Sequence, residues 1–103
     1  IGGWFIGDFE PSILKTNKLE IAIKSYKAGD VEAEHYHKKA TEYTVIVKGK
    51  VRMMGSEYNE GNILTIHPDE STDFAALTDV TTVVVKIPGA LDDKYIVKTD
   101  ADK

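Results

Sequence analysis

The chain has 103 residues, of which 42% are hydrophobic and 29% charged, and this length and composition predict one globular domain spanning residues 1–103. Its net charge of −4 and the absence of a basic stripe argue against nucleic acid as a partner, because phosphate binding depends on clustered Lys and Arg. The absence of cysteine excludes disulfides and thiolate sites, so His, Asp and Glu are the candidate metal ligands.

The sequence gives no sign of a membrane partner. It contains no apolar run that approaches the roughly 20 residues of a membrane helix. Its first residues also lack the basic and then apolar pattern of a signal peptide. We therefore expect a cytoplasmic protein.

Residues 1–18 are interpreted as an amino-terminal arm. Residues 1–11 combine three aromatic side chains with three glycines, and so many glycines in a short span disfavour a helix. We expect an edge strand or an arm that covers an apolar surface. That surface belongs either to the same protomer or to a second copy of the chain, and the sequence leaves both alternatives open.

Residues 19–97 are interpreted as short strands separated by turns, and they form the predicted barrel. Leu19, Ile21 and Ile23 alternate with other residues in the pattern of a half-buried strand. Residues 42–48 are β-branched and aromatic, which favours a strand. A tight hairpin is predicted at Gly49 and a turn at Gly55. The remaining predicted strands are residues 51–54, 63–66, 72–76, 81–87 and a short one within 92–97.

About eight short strands, with turn signals at a spacing of about 8 to 12 residues and no helical period, predict an all-β sandwich or barrel. A barrel of this size can enclose one small ligand. The charged residues 98–103 are expected to form a mobile tail.

One constellation carries candidate chemistry. Side chains alternate across a strand, so His35 and His37 project from one face and Tyr36 from the other. If the chain turns at residues 38–41 and returns as a neighbouring strand, the carboxylate of Glu42 faces the same point. Two His and one carboxylate with open positions are the ligand set of non-haem iron sites and several catalytic zinc sites.

The spacing of Gly29, His35, His37, Glu42 and Gly49 resembles the first sequence motif of the cupin family at every defined position. The resemblance extends over about residues 19–88. It implies a small double-stranded β-helix, or jelly-roll, barrel that forms a homodimer. It also implies a divalent transition metal, Fe, Zn, Mn or Ni, held by the two imidazoles and the carboxylate.

The family's second motif is only partly matched. Gly61 and residues 62–66 fit its start, but Asp69 stands where the motif has a glycine. Thr72 stands where the motif has the fourth ligand, a histidine. His67 is either a displaced ligand or, as we favour, a residue at the rim of the barrel.

Two classes of function remain open from the sequence. Members of the family include isomerases, epimerases and dioxygenases, so the first is a metal-dependent enzyme acting on a sugar derivative or an oxo acid. In that enzyme Glu42 is a metal ligand or, without metal, the general base. The second is a non-catalytic module that binds a small molecule or a metal. The candidate substrate-binding residues are Tyr36, Thr44, Arg52 (if it points inward together with Met54), His67, Thr72 and Phe74.

Overall fold

The computed structural model describes residues 2–97, so the predicted mobile tail at residues 98–103 lies outside the described part of the chain. These residues form two five-stranded antiparallel sheets, which confirms the all-β prediction. None of them belongs to a helix with the length and apolarity needed to cross a membrane. The strands are β1 (Trp4–Ile6), β2 (Glu20–Tyr26), β3 (Val31–Tyr36), β4 (Thr41–Lys48), β5 (Lys50–Met53), β6 (Ser56–Asn59), β7 (Ile63–Ile66), β8 (Thr72–Ala76), β9 (Val80–Ile87) and β10 (Tyr95–Ile96).

The two sheets pack face to face around one core. The first sheet has the order β1-β2-β9-β4-β7 and the second has the order β10-β3-β8-β5-β6. Ile46 and Leu64 of the first sheet pack in one buried cluster with Val51 and Phe74 of the second. Because both inner faces contribute to it, this cluster holds the sheets together through apolar burial.

The interior changes from apolar to polar along the strands. On β4 the inward residues run from Ile46 through Thr44 to Glu42, and all three are buried. On the adjacent β9 they run from Val80 to Lys86 in the same direction, since Glu42 and Lys86 are paired in the register. One end of the barrel is therefore a hydrophobic core, and the other end presents charged side chains to its interior.

The connection at Gly49 differs from the predicted hairpin. β4 and β5 lie in different sheets, so Gly49 carries the chain from one sheet to the other. Its φ of +94° lies in the left-handed region, and a Cβ there would collide with the carbonyl oxygen of Asp79. The turn predicted at Gly55 is present, and it is followed by a strand that was not predicted, since Ser56–Asn59 forms β6 and pairs with β5.

The orientation of β2 is the opposite of the one that its apolar alternation indicates. Glu20 is only 4% exposed and Ala22 is fully buried, whereas Ile23 is 52% exposed. The reason is that β2 faces the polar end of the barrel, where Lys86 of β9 provides an ionic partner for Glu20. Its apolar face instead belongs to the outer surface of the first sheet.

The amino-terminal arm covers the barrel of its own protomer. β1 pairs with β2 at the edge of the first sheet. Trp4 of this strand and Phe9 just beyond it line the internal cavity. Within the single chain the arm therefore contributes to the wall of its own barrel.

Candidate metal centre

His35, His37 and Glu42 are brought together at the polar end of the barrel. His35 lies near the end of β3, His37 directly follows that strand, and Glu42 is the second residue of β4. Each offers one ligand atom, and these atoms all lie within 4.8 Å of one another. All three residues are buried, the most accessible of them being 8% exposed. The turn at residues 38–41 thus places the two imidazoles and the carboxylate as the sequence predicts.

The imidazole of His35 has a defined tautomer. Its Nδ1 lies 3.0 Å from the carbonyl oxygen of Ala33, which can only accept a hydrogen bond, so Nδ1 carries the proton. The lone pair of Nε2 is then left for a ligand. A ring nitrogen that donates to a backbone carbonyl is the usual arrangement that orients a metal-binding histidine.

The imidazole of His37 is held in its neutral form. Burial, followed by the positive charge of Lys86 and the nearby His35, lowers the pKa of His37 from 6.5 to about 4. The rings of His35 and His37 lie edge to face, with their centroids 5.4 Å apart. Neutral imidazole is the form that binds a metal ion, so at neutral pH no proton has to be displaced from His37.

The carboxylate of Glu42 is oriented by its neighbour on the inner face of β4. The hydroxyl of Thr44 donates a hydrogen bond of 3.0 Å to Oε2 of Glu42. Thr44 is itself buried, and residues two apart on a strand share one face. This contact orients the carboxylate through Oε2, and Oε1 does not take part in it.

The turn between His37 and Glu42 is held by a distant carboxylate. Asp93, which is buried, accepts hydrogen bonds from the backbone N–H groups of Lys38, Lys39 and Ala40. Burial alone would raise the pKa of Asp93, but these backbone hydrogen bonds outweigh it and lower the pKa. Asp93 therefore clamps the short segment that sets the spacing of two cluster residues.

The cluster opens onto a cavity of about 470 Å³ that is partly open to solvent, and this volume is typical of small-molecule sites. Of the predicted substrate-binding residues, Thr44, Thr72 and Phe74 line this cavity. Phe74 packs against Tyr26 with ring centroids 4.3 Å apart. The Tyr26 hydroxyl donates to Glu32, and burial together with that carboxylate raises the pKa of Tyr26.

The other three predicted substrate-binding residues lie outside the cavity lining. Tyr36 stacks on Tyr95 with a centroid distance of 5.4 Å. Arg52 is exposed and donates a 2.9 Å hydrogen bond to Glu57, because Met53, rather than Arg52, is directed inward on β5. His67 is exposed in the loop after β7, as expected for a rim residue. The inward orientation considered for Arg52 is therefore wrong.

Thr72 occupies the position at which the resembled motif has its fourth ligand. It is buried, lines the cavity and is paired with His35 in the register of β3 and β8. Its hydroxyl donates a 2.8 Å hydrogen bond to the carbonyl oxygen of Asp73. Thr72 thus leaves this side of the cluster without an imidazole.

Two cavity residues were missed in the sequence. Oε1 of Glu20 lies 3.5 Å from Nζ of Lys86, and both side chains are almost completely buried. Glu20 was missed because β2 has the opposite orientation to the expected one. Lys86 could have been found from the alternation of β9, since it shares the inner face with Thr82 and Val84.

The donor set fits a divalent transition metal. It consists of one imidazole with a directed Nε2, one imidazole that stays neutral and one oriented carboxylate, all within 4.8 Å. Imidazole together with carboxylate suits Zn, Fe, Mn and Ni, and three protein ligands leave positions open for water or substrate. The group can therefore hold a metal ion, whose identity it does not determine.

Two antiparallel sheets that enclose a buried His/His/Glu cluster define this chain as a protein with the cupin fold, a double-stranded β-helix. The expected fold is thereby confirmed. No protein-family sequence profile matches the chain, and no curated protein matches its sequence. The similarity of this chain to known proteins is therefore detected by comparing structures, whereas comparison of sequences detects none.

Three solved structures illustrate this similarity. A conserved protein with a double-stranded β-helix domain from Klebsiella pneumoniae has a TM-score of 0.73 and 17% identity, over 84% of this chain and 81% of that chain. A cupin superfamily protein from Desulfitobacterium hafniense has a TM-score of 0.64 and 13% identity, over 70% of this chain and 69% of that one. Bacillus subtilis oxalate decarboxylase, which has Mn(II) centres, has a TM-score of 0.70 and 17% identity, over 80% of this chain but 25% of its own.

Proposed function

We propose that the protein binds a divalent transition metal through His35, His37 and Glu42 and acts as an enzyme on a small polar molecule held in the barrel. The observation that carries this proposal is the convergence of three ligand atoms within 4.8 Å at the wall of an internal cavity. Polar groups buried in this way are costly unless they are paired or coordinate an ion. The Mn(II) centres of oxalate decarboxylase, a protein with the same fold, support it.

In this function each residue of the site would have a distinct role. His35 and His37 would hold the ion, and Thr44 would keep the Glu42 carboxylate turned towards it. A bound ion would supply Lewis-acid polarisation of a substrate oxygen for isomerisation or epimerisation, whereas oxygenation would require a redox-active ion such as Fe. Trp4 and Phe9 line the cavity and would contribute apolar surface next to the bound molecule.

The second candidate is a module that binds a small molecule or a metal without turning it over. It is favoured by Thr72, which replaces the fourth ligand of the resembled motif and whose hydroxyl is engaged by the backbone. In this alternative the same cluster and cavity serve for binding alone. It differs from the first candidate only in the absence of product.

Metal analysis tests the site itself. The purified protein is loaded separately with Fe, Zn, Mn and Ni, and the bound metal is measured by elemental analysis. The exposed His67 provides a matched control, because His67→Ala removes an imidazole outside the cluster. We expect about one metal ion per chain in the natural protein and in His67→Ala, and loss of the ion in His35→Ala. Retention of metal by His35→Ala would contradict the proposed site.

Turnover separates the enzyme from the binding module. The metal-loaded protein is incubated with sugars and oxo acids, and product is followed by NMR together with oxygen consumption. We expect conversion that disappears in His35→Ala and persists in His67→Ala. Binding of a compound without conversion under every metal would favour the second candidate.

A further inference from the structure

A second charged group faces the same cavity from the first sheet. Glu20 of β2 and Glu42 of β4 are both register partners of Lys86 on the intervening β9. Directly paired residues share one face of a sheet, so three charged side chains lie in a row on its inner surface. The middle and outer members, Lys86 and Glu20, form an ion pair whose side chains are 10% and 6% exposed.

This pair of cavity-lining residues retains unused hydrogen-bonding capacity. Oε2 of Glu20 is buried and has no hydrogen-bond partner among residues 2–97. The ammonium of Lys86 has three N–H groups, of which one suffices for its contact with Glu20. A buried ion pair is weak evidence for stability, and an unpartnered acceptor within it makes a purely structural role costly.

An acceptor and spare donors side by side suit hydroxyl groups. Each hydroxyl donates one hydrogen bond and accepts others, so a diol can satisfy Glu20 and Lys86 together. The Trp4 ring lies next to this pair, with the Lys86 ammonium 5.2 Å from its centroid. Lys24 also lies over this ring, at 5.3 Å. Trp4 and Phe9 line the cavity and add apolar surface beside the paired polar groups, and a sugar presents both an apolar face and a hydroxyl edge.

The charge of the cavity disfavours an anionic occupant. Its lining contains seven carboxylates and three lysines. Three of these carboxylates, Glu10, Asp73 and Asp92, are exposed, and Glu10 is paired with Lys15 outside the lining. The lining residues that are not exposed carry four carboxylates and two lysines. In the metal-free protein a carboxylate-bearing molecule would therefore meet net repulsion from the lining, whereas a neutral polyol would not.

We infer that the molecule bound in the barrel is a neutral polyhydroxy compound, a sugar or an alditol, whose hydroxyls are held by Glu20 and Lys86. The inference rests on the proposed function, which leaves two substrate classes open, sugar derivatives and oxo acids. It assigns the cavity to the first of these classes. It concerns residues other than the metal ligands. Binding can therefore be measured independently of metal content and of turnover.

The only tryptophan of the chain provides the readout. Because Trp4 lines the cavity, its fluorescence reports ligand binding, and calorimetry gives an independent dissociation constant. The probes are D-glucose, D-galactose, L-rhamnose and D-mannitol, compared with D-glucuronate and 2-oxoglutarate. Chelator-treated and Mn(II)-loaded protein are titrated in parallel. We expect at least one neutral probe to bind at least tenfold more tightly than either acid.

Substitutions locate the binding group. Glu20→Gln and Lys86→Met should weaken binding of the neutral probe at least tenfold. The exposed ion pair of Lys50 and Glu57 supplies matched controls, and Lys50→Met and Glu57→Gln should change the affinity less than twofold. Should a single substitution prevent folding, the double variant Glu20→Leu with Lys86→Met removes both buried charges together and should likewise lose binding.

Three results would overturn the inference. The first is tighter binding of glucuronate or 2-oxoglutarate than of every neutral probe, and the second is no binding of any neutral probe. The third is an affinity for the neutral probe that is unchanged in both cavity variants. A protein that holds Mn(II) but prefers 2-oxoglutarate would refute this inference and leave the proposed metal site intact. A metal-free protein whose sugar binding depends on Lys86 would refute the proposed metal site and leave this inference intact.

Discussion

The carboxylate of Asp93 accepts a hydrogen bond of 3.1 Å from the backbone N–H of Ala40, which lies 53 positions earlier in the chain. The same carboxylate accepts from two further N–H groups of that turn, at Lys38 and Lys39. The turn connects His37 to Glu42, so the connection between β9 and β10 controls the geometry of the candidate metal centre. Carboxylates that accept several backbone hydrogen bonds are among the stronger buried contacts in proteins.

The substitution Asp93→Asn tests this clamp. Asn keeps the size of the side chain, but its amide nitrogen cannot accept from the turn, so one buried backbone N–H loses its acceptor. We expect the free energy of unfolding to fall by about 1–3 kcal/mol and the affinity for Mn(II) to fall roughly 10- to 100-fold. Chemical denaturation and calorimetry measure the two effects.

Asp79→Asn is the matched control for this clamp, because Asp79 accepts a backbone hydrogen bond from Ala28 in an exposed loop. It should leave Mn(II) affinity unchanged. If Asp93→Asn lowers the stability but binds Mn(II) as tightly as the natural protein, Asp93 serves folding and does not position the ligands.

The buried His37 predicts a pH dependence of stability in the metal-free protein. Its pKa is about 4 in the folded state and 6.5 ordinarily, so between these values the unfolded chain binds the proton and the folded chain does not. The contribution of His37 to the free energy of unfolding is therefore fully present above about pH 6.5. It is lost as the pH falls towards 4, and the loss amounts to up to about 3 kcal/mol. Denaturation of chelator-treated protein across this range measures the loss.

His37→Gln should lack this component of the pH dependence, whereas His67→Gln should retain it because His67 is exposed. Equal pH slopes in His37→Gln and the natural protein would show that another group is responsible.

Thr72→His introduces the imidazole that the second motif lacks. Thr72 lines the cavity opposite His35, so the new side chain can extend into the cavity towards the cluster. A fourth ligand should raise the affinity for Zn(II) or Mn(II) at least tenfold, in keeping with the completed ligand sets of metal sites. Thr72→Leu fills similar space without a donor and should not raise it. Equal affinities of the two variants would place position 72 out of reach of the ion.

The candidate metal centre could be predicted from the sequence because its geometry is local. Only a strand end and a four-residue turn separate His35 from Glu42, so alternation and turn formation suffice to place them. The relationship of Asp93 to this turn depends on a contact between distant parts of the chain. No period or local spacing indicates it.

The orientation of β2 shows why alternation alone was insufficient. The pattern reveals two faces of a strand but not which one the fold places inside. Here the partner strand decides, since Lys86 of β9 lies opposite Glu20 and draws the polar face of β2 into the barrel. For the same reason Arg52, which shares β5 with the inward Met53, lies on the exposed face.

The outward apolar face of the first sheet supports the expectation of a homodimer. Ile23, Val47 and Ile63 lie on three of its strands and are exposed in the single chain. Exposed apolar side chains gathered on one sheet are typical of association surfaces, and a twofold interface would bury them in both protomers.

We expect light scattering at micromolar concentration to give twice the 11.4 kDa mass of the chain. Ile23→Lys should shift it to the monomer, because the pairing would bury an unpaired charge. Val31→Lys, at an exposed apolar position on the second sheet, should remain dimeric. A natural protein that is monomeric throughout, or a Val31→Lys variant that dissociates while Ile23→Lys does not, would contradict this assignment of the interface.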